Sequence, residues 1–522
     1  MTRAIIGFFI VWSACGRPAM LGPDAQIDPD AAPVDDPCEP TPLGPHWVEE
    51  GDSLAIEMSC QTGLQIAGDR FSFTGLPANA SYDPVTGTLT FHPAIDQAAI
   101  YRVSVSVAME HGPDEVRSMT IGVADAWNAP GNVPIADPQA YTHEFGLPVF
   151  FLSPAPQSET YTPATLYYRG TRYDIEAKLR GASSLSYPKR SYTLRFGTGV
   201  RFDEPDQDGG FVDKNRVVLT STFDDNSYIR QRLAYELWSR LSPTIPVQAY
   251  SAVVYLDGEY FGLYTVSDFI NDDLMEASGL AREGDVYKAI NHNANFRLVD
   301  YQGMPKNTLH DGYEKTEGTP VQGQPGAFAS MDELVSFVAT SDDIQFAAEI
   351  GQRVELTDYM AWWHLATFST ASDSAGKNSY HYRDPAQVDG LFHVAPWDFN
   401  HSFGQAWTTH RVSATNLQTY EGRNYLFERL LADSGHGQVM RGQYALALTE
   451  GALAVGQVLA TIDEYIAEID RSARRDWGKW EGAYRSFGRW QDRTDFTSYE
   501  EEVSYVREWI TEHHGSLMQV YF

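Results

Sequence analysis

The periodicity of the apolar residues changes near the middle of the chain, and this change constrains the fold more than any other feature. In "TLYYRGTRYDIEAKLRG", Ile175, Ala177 and Leu179 alternate with charged residues, and "SYTLRFG" continues the pattern. Such alternation is typical of half-buried β-strands. Beyond about residue 330 the apolar residues recur at helical spacing, as in "VLATIDEYIAEIDRSARRDW". Residues 140–522 are therefore predicted to form one α+β domain with a strand-rich first lobe and a helical second lobe.

One amphipathic helix is predicted inside the strand-rich part, in "DDNSYIRQRLAYELWSRL". Apolar residues recur there every four positions, at Ile229, Leu233, Leu237 and Leu241. Asp225 or Asn226 can cap its first turn. Glu236 falls at the edge of the apolar stripe, where its carboxylate either turns inward toward a lysine or stays exposed. Farther on, the pair Asp257-Gly258 predicts a tight hairpin turn.

The first 45 residues have the composition of a targeting sequence and a tether. Residues 1–15, "MTRAIIGFFIVWSAC", combine one Arg, an apolar run too short to span a bilayer, and small residues before Cys15. This pattern predicts a signal peptide with Cys15 as the lipidated residue of a bacterial lipoprotein; plain secretion and an uncleaved anchor are the alternatives. Residues 16–45 are rich in Pro and Asp and predict a disordered acidic linker. We therefore expect an exported cell-envelope protein whose membrane contact is a lipid anchor.

A small all-β module is predicted over residues 46–126. Apolar and polar residues alternate in "IYRVSVSVAM", and "LPANASYDPVTGTLTFHP" supplies turns between short strands. Together these segments resemble the bacterial cadherin-like Ig repeat, which implies an Ig-like β-sandwich that acts as a spacer or an adhesion unit. Residues 127–139 predict a linker to the next domain. Cys38 and Cys60 either pair, as an oxidising location would allow, or remain free thiols.

The charge of the chain argues against one class of partner. Its 70 acidic and 38 basic residues give a formal net charge of -32 at pH 7. A surplus of this size repels phosphate backbones and anionic lipid head groups. We therefore expect no nucleic-acid binding, and no membrane binding by bulk electrostatic attraction.

Two polar segments of the helical part carry the candidate catalytic chemistry. "TASDSAGKNSYHY" contains Asp373 and, after four intervening residues, Asn378, while "APWDFNHSFG" places Asp398 after a predicted strand. Phosphoryl transfer requires a carboxylate facing the acceptor hydroxyl and oxygen ligands for Mg²⁺. Protein kinases supply these with Asp-x4-Asn in one loop and an Asp after a later hairpin. The pattern alone is not specific, because no His-Arg precedes Asp373 and no G-x-G-x-x-G lies upstream.

A second candidate segment, "RGASSLSYPKR", lies between two predicted strands. Gly181, Ser183 and Ser184 have small side chains, so the backbone can approach a ligand closely and offer N–H groups and hydroxyls to phosphate oxygens. Lys189 stands next to this turn and could reach the same anion. A polar hairpin with a solvated lysine is the alternative.

Six segments of the large domain occur in an order that is specific when they are taken together. They are "LRGASSLSYPKRSYTLRF", "NRVVLTSTFDDNSYIRQRLAYELWSRL", "VVYLDGEYFGLYTVSDFIND", "GDVYKA", "DSAGKNSYHYRD" and "FHVAPWDFNHSFG". They resemble the CotH family, the spore-coat protein H kinases, over residues from about 147 to 520. The resemblance implies an atypical protein-kinase-like fold that uses ATP and Mg²⁺ or Mn²⁺.

The resemblance also implies roles for individual residues. Asp373 is expected to be the catalytic residue, and Asn378 and Asp398 are expected to bind the metal. Lys189 is expected to contact the nucleotide phosphates, paired with Glu236, beside the small residues of the preceding turn.

Two departures from the family pattern leave two functions open. Many members carry Asp where this chain has Asn400, and Glu where it has Asp268, in the segment expected to join the lobes beside the nucleotide base. The first function is a surface-anchored kinase that phosphorylates Ser or Thr of exported proteins. The second is a non-catalytic, pseudokinase-like envelope protein that binds protein or glycan.

Two weaker patterns have simpler interpretations. Four histidines crowd the helical half, His364, His381, His393 and His401, and a zinc site is the alternative to packing and hydrogen bonding. "DEPDQDGGFVD", residues 203–213, has the acids and glycines of a calcium loop but lacks its bidentate Glu. We expect a solvated loop there.

Overall fold

The computed structural model describes residues 38–61, 67–109, 112–206, 210–241, 244–387 and 390–521. The signal peptide predicted over residues 1–15, and the tether as far as residue 37, lie outside these residues. No helix in the described ranges combines the length and apolar content needed to cross a membrane.

A small all-β module begins the described chain. Its strands are β1 (Pro40–Thr41), β2 (His46–Glu49), β3 (Leu54–Glu57), β4 (Ser59–Cys60), β5 (Phe71–Thr74), β6 (Ala80–Asp83), β7 (Thr88–Phe91), β8 (Ala99–Val107) and β9 (Glu115–Ala124). They form a four-stranded sheet in the order β2-β9-β8-β5, a three-stranded sheet, β3-β7-β6, and the pair β1-β4. Both larger sheets contribute to one apolar core, which includes Phe91 and Val105. A disulfide joins Cys38 to Cys60. The Ig-like type of this module stays a prediction.

The next part of the chain is a sheet that closes on itself. Its strands, with a short side pair and one helix, are β10 (His143–Glu144), β11 (Leu147–Ser153), β12 (Thr162–Tyr168), β13 (Thr171–Arg180), β14 (Ser191–Phe196), β15 (Phe202–Glu204), β16 (Phe211–Lys214), β17 (Arg216–Thr220), α1 (Arg230–Leu241), β18 (Ala249–Leu256) and β19 (Glu259–Asp268). The order is β10-β11-β12-β13-β14-β17-β19-β18, and β11 also pairs in parallel with β18. Alternate side chains, such as Leu166, Ile175 and Leu194, fill the interior.

The remainder combines a second sheet with helices. Its elements are α2 (Asp272–Ala277), β20 (Asp285–Ala289), β21 (Tyr313–Glu317), α3 (Ala329–Thr340), α4 (Asp343–Glu349), α5 (Leu356–Ser369), β22 (Ser379–Arg383), β23 (His393–Pro396), α6 (Tyr425–Ala432), α7 (Ser434–Thr449), α8 (Val455–Arg485) and α9 (Tyr499–Tyr521). The sheet order is β21-β20-β22-β23. Residues Asp358–Ser369 of α5 are all buried, because α5 packs against both α1 and β23.

The predicted α+β class is confirmed, as are several local predictions. Asp225 accepts a hydrogen bond from the N–H of Arg230, the first residue of α1, over 3.0 Å, so it is the cap and Asn226 is not. The Asp257-Gly258 turn joins β18 to β19, with positive φ at both residues. The kinase-like two-lobed arrangement stays a prediction.

Helix α8 touches both the first module and the closed sheet. The guanidinium of Arg475 binds Glu144 and the carbonyl of Asp125, while the next residue, Asp476, lies against β19. Residues 127–139 contain no helix or strand, but Trp127 stacks on Tyr260 with ring centres 5.6 Å apart. The predicted linker is therefore packed against the domain that follows it.

Candidate functional site

The loop that contains Asp373 and Asn378 is tied to the loop that contains Asp398. The Ser374 hydroxyl donates to the carbonyl of Asp398 over 3.1 Å. The N–H of Trp397 donates to the carbonyl of Asn378 over 2.9 Å. The two loops therefore lie side by side, and the structure brings together the three residues of the predicted triad.

Two of these three residues have a backbone conformation that most side chains disfavour. The angle φ is 59° at Asn378 and 61° at Asp398. Outside glycine, such left-handed conformations cost on the order of 1 kcal/mol or more and concentrate at functional sites, where surrounding contacts hold them. Twelve other non-glycine residues of the described chain also have positive φ, so this feature agrees with a functional site here but does not identify one by itself.

Asp373 is an ionised carboxylate held between two basic groups. Lys377 Nζ lies 2.9 Å from one of its oxygens, and His292 Nε2 lies 3.5 Å from the other. Burial by itself raises the pKa of Asp373, but the contacts with His292 and Lys377 outweigh burial and hold the pKa well below its usual range. The side chain is therefore charged at neutral pH and can accept a hydrogen bond from a hydroxyl group.

Asp398 lies in a more crowded electrostatic environment. Burial raises the pKa of its carboxyl above the usual value; His401, Arg180 and Lys377 oppose this shift, whereas Asp224 adds to it. A cation beside this carboxyl would favour its charged form.

Asp224 is a site residue that sequence reasoning missed. One of its oxygens accepts hydrogen bonds from Tyr187 Oη over 2.9 Å, Asn400 Nδ2 over 2.6 Å and His401 Nε2 over 2.7 Å. Burial raises the pKa of Asp224, but hydrogen bonding and the charge of His401 lower it below its usual value. The signal in the sequence was the pair of adjacent acids, Asp224 and Asp225. Because Asp225 caps α1, Asp224 is available to the site.

Asn400 has one polar atom that the described residues leave unsatisfied. Its Nδ2 donates to Asp224, while its Oδ1 is buried without a hydrogen-bond partner. Buried polar atoms are normally paired, and an amide oxygen is a ligand type that Mg²⁺ accepts. With the Asp398 carboxylate nearby, the residues present fit a divalent cation.

The small-residue turn is exposed and anchored near the same site. Gly181 and Ser183 are exposed and Ser184 is half-buried, with a 3₁₀ turn beginning at Ser183. Arg489 donates to the Ser183 carbonyl and to the Tyr187 hydroxyl, each over 3.0 Å. Because that hydroxyl binds Asp224, as described above, this turn is connected to the candidate site.

The predicted pairing of Lys189 with Glu236 is wrong. Lys189 is fully buried, and its Nζ lies 2.6 Å from both Asp476 Oδ1 and the carbonyl of Leu263. Glu236 instead pairs with Arg240, one helical turn away, at 2.7 Å. The apolar stripe of α1 could be predicted from the sequence. The partner of Lys189 could not, because it is Asp476 of α8, almost 300 residues later in the chain. The ammonium is therefore bonded to protein oxygens, and the structure does not place it with Asp398.

Asp268 is also occupied by protein partners. Its oxygens bind Lys214 Nζ at 2.7 Å and the N–H of Gln248 at 2.8 Å. Asp268 and Phe269 line a cavity of about 150 Å³. The segment expected beside a nucleotide base therefore borders open space, but the carboxylate itself is already paired.

The zinc alternative is wrong for the four histidines. Each ring bonds a separate partner, namely the Met440 carbonyl for His364, Tyr359 for His381, Asp358 for His393 and Asp224 for His401. In the described ranges, no group of three or more His, Cys, Asp or Glu side chains is arranged to hold a metal ion.

The calcium-like loop is a hairpin where the structure describes it. Asp203 and Asp213 face each other across the β15–β16 pair, since the N–H of Asp213 donates to Asp203 over 2.7 Å. Residues 207–209 of this loop lie outside the described residues.

Comparison with known proteins identifies the large domain. A family model described as "CotH kinase protein" matches residues 177–517. Inner spore coat protein H of Bacillus subtilis (strain 168) is 26% identical over 273 residues, which covers 52% of this chain and 70% of that protein. The span matched by the family model, residues 177–517, contains Asp373, Asn378 and Asp398, together with Asp224. Because the family model covers well over half of the chain, this protein belongs to the CotH family.

Proposed function

We propose that the chain is a metal-dependent atypical kinase that transfers phosphate from ATP to Ser or Thr of exported proteins. The observation that carries the proposal is the convergence of the loops of Asp373, Asn378 and Asp398, linked through Asp224 to the exposed turn at Gly181. These side-chain oxygens are of the kind that phosphoryl transfer requires. The kinase description of the family supports the same reaction class.

Asp398 and Asn378 would hold the divalent cation, and the buried Oδ1 of Asn400 is available as a further neutral ligand. When bound, Mg²⁺ or Mn²⁺ supplies positive charge to the phosphoryl oxygens. Mg²⁺ commonly uses one or two carboxylates and takes other ligands from substrate phosphates and water. A set of three acidic ligands is therefore not required.

Asp373 would orient the acceptor hydroxyl and accept its hydrogen bond. The contacts with Lys377 and His292 keep this carboxylate charged and fix its position. The lysine also keeps a positive charge near the incoming phosphate oxygens.

We place the protein outside the cytoplasm, attached to the cell envelope through a lipidated Cys15. The composition of the first 45 residues supports export, and the relative is named for the inner spore coat. Its substrates would then be exported proteins.

A non-catalytic envelope protein remains the second candidate, and two observations favour it. Asn400 is neutral where many family members carry an acid, and both oxygens of Asp373 are engaged by basic groups of the protein. In this case the domain would bind protein or glycan without turnover.

Nucleotide binding tests the proposal first. Thermal unfolding of the full chain is followed with ATP, with and without Mg²⁺ or Mn²⁺. A ligand at about 100 times its dissociation constant adds about 2.7 kcal/mol to the stability of the folded state. We expect a metal-dependent rise in melting temperature that is lost in Asp398→Asn; an equal rise in that variant would contradict the assigned role of Asp398.

Radiolabel transfer from ATP, to the chain itself or to an acidic test protein, then separates the two candidates. We expect Asp373→Asn to lower transfer by about 100-fold or more, as loss of a group that handles the reacting proton does. Asp332→Asn is the matched control, because Asp332 is also a carboxylate bonded to a histidine, 2.8 Å from His310. Metal-dependent ATP binding without any transfer would favour the non-catalytic candidate.

A further inference from the structure

Arg180 occupies the edge of the candidate site. It is the last residue of β13 and directly precedes Gly181. Its guanidinium carbon lies 4.5 Å from the centre of the Trp397 ring and 5.7 Å from that of Phe269. Since Trp397 is followed by Asp398, the aromatic contacts hold a positive charge beside a metal-binding candidate.

No carboxylate is paired with this guanidinium in the part of the chain that the structure describes. This is unusual in a chain whose 70 acidic residues far outnumber its 38 basic ones. Arg195, on the neighbouring strand β14, gives a direct comparison. Its guanidinium also lies over an aromatic ring, 4.1 Å from the centre of Tyr161, but its Nε donates to Glu176 over 2.9 Å.

We propose that Arg180 binds the phosphate groups of the nucleotide, the role that the sequence assigned to Lys189. This inference rests on the proposed function, because it requires that the site take a nucleotide. Lys189 is fully buried and bonded to Asp476 and to the carbonyl of Leu263. Arg180 is half-buried and forms no close ion pair in the described ranges, although its charge acts on the nearby Asp398 carboxyl.

The chemistry of the two cations supports the same assignment. A guanidinium is planar and presents parallel N–H groups that match two phosphate oxygens, and it remains able to bind while stacked on an aromatic ring. The exposed backbone at Gly181 and Ser183 follows at once, so N–H groups of the turn and the guanidinium can contact the same anion. Arg180 and this turn would thus form one phosphate site beside Trp397 and Asp398.

Titration calorimetry of the full chain with ATP and with adenosine, both in Mg²⁺, tests this assignment. Hydrogen bonds to charged groups of this kind are worth roughly 10- to 100-fold in affinity. We expect Arg180→Gln to weaken ATP binding by this factor and to leave adenosine binding unchanged. Arg180→Lys keeps the positive charge but loses the parallel N–H groups of the guanidinium. Its ATP affinity should lie between those of Arg180→Gln and the unaltered chain. Arg195→Gln is the matched control, with a change below about twofold.

The outcomes are distinct. If Arg180→Gln binds ATP as tightly as the unaltered chain, the assignment to Arg180 is overturned while the proposed function stands. If it loses ATP and adenosine binding equally, the residue acts on the fold and not on the phosphates, and the assignment is also overturned. If the unaltered chain binds no nucleotide, the proposed function fails and this assignment fails with it.

Discussion

Replacement of Asp476 by Asn should destabilise the fold strongly while it leaves the candidate site in place. Asp476 is 1% exposed and Lys189 is fully buried, so neither charge is solvated by water. Burial raises the pKa of Asp476 and lowers that of Lys189, and the attraction between the two charges opposes both shifts. The substitution removes one of these charges and keeps the shape, including an oxygen that can accept from the N–H of Leu263.

The magnitude follows from the burial of the pair. Removal of one partner from a buried ion pair costs about 3–5 kcal/mol, because the other charge is left uncompensated. Whole domains are stable by about 5–15 kcal/mol, so a large share of the stability would be lost. The double variant Lys189→Met, Asp476→Asn removes the stranded charge as well. It should recover most of the loss, since exchange of a whole buried pair for well-packed neutral groups is often close to neutral.

Urea unfolding followed by tryptophan fluorescence measures these free energies for the two single variants and the double variant. We expect a coupling energy of about 3 kcal/mol from the cycle, at the upper end for residues in contact. ATP affinity is measured on the same samples. The double variant should bind ATP like the unaltered chain, because Lys189 is bonded to α8 and β19 and does not face Asp398.

Two results would refute this reasoning. A cost below about 1 kcal/mol for Asp476→Asn would mean that Lys189 is solvated and not a buried partner. Loss of ATP binding in a folded double variant would restore Lys189 to the role that the family resemblance implied.

Three further predictions concern other parts of the molecule. Burial, together with the Glu144 carboxylate, raises the pKa of Asp125 from 3.8 to about 7, so its contribution to stability is fully present below about pH 4 and is lost as the pH rises through about 7. One pKa unit corresponds to about 1.4 kcal/mol. The change in the free energy of unfolding caused by Asp125→Asn should therefore be more favourable at pH 8 than at pH 4, by up to about 4 kcal/mol. Chemical denaturation at both pH values measures this change, and an equal change at both would contradict the prediction. Reduction of the Cys38–Cys60 disulfide, whose cysteines are 22 positions apart, should lower stability by about 3 kcal/mol through the entropy of the opened loop, which Cys38→Ser with Cys60→Ser measures against the unaltered chain. Gly181→Ala should weaken ATP binding by about tenfold or more, because φ is 129° and a Cβ would lie 2.0 Å from a serine oxygen in the turn; unchanged ATP affinity by calorimetry would show that the turn does not contact the nucleotide.

Local features of this fold could be read from the sequence because short-range rules determine them. The alternation of apolar residues predicted β13 and β14, and helical spacing predicted α1 and α8. The turn at Asp257-Gly258 required two residues that accept positive φ. The proximity of Asp373 and Asp398 followed from the family resemblance and not from spacing, since acids are common in loops.

Long-range pairings could not be predicted in this way. Lys189 and Asp476 are 287 positions apart, and no periodicity in either segment refers to the other. Asp224 was missed for a related reason: adjacent acids are chemically alike, and only the helix geometry decides which one caps α1. Closure of the sheet depends on the parallel pairing of β11 with β18, which joins strands about 100 residues apart.

The position of Arg475 beside Asp476 on α8 has a mechanical consequence. Arg475 donates to the carbonyl of Asp125, at the end of the first module, and also binds Glu144 of the closed sheet. Its neighbour Asp476 binds Lys189. Unfolding of the first module would therefore remove a hydrogen-bond acceptor from the buried Arg475 guanidinium, and unfolding of the closed sheet would remove its carboxylate partner. The first module and the large domain should therefore unfold in a single cooperative transition in calorimetry, and not as two independent domains.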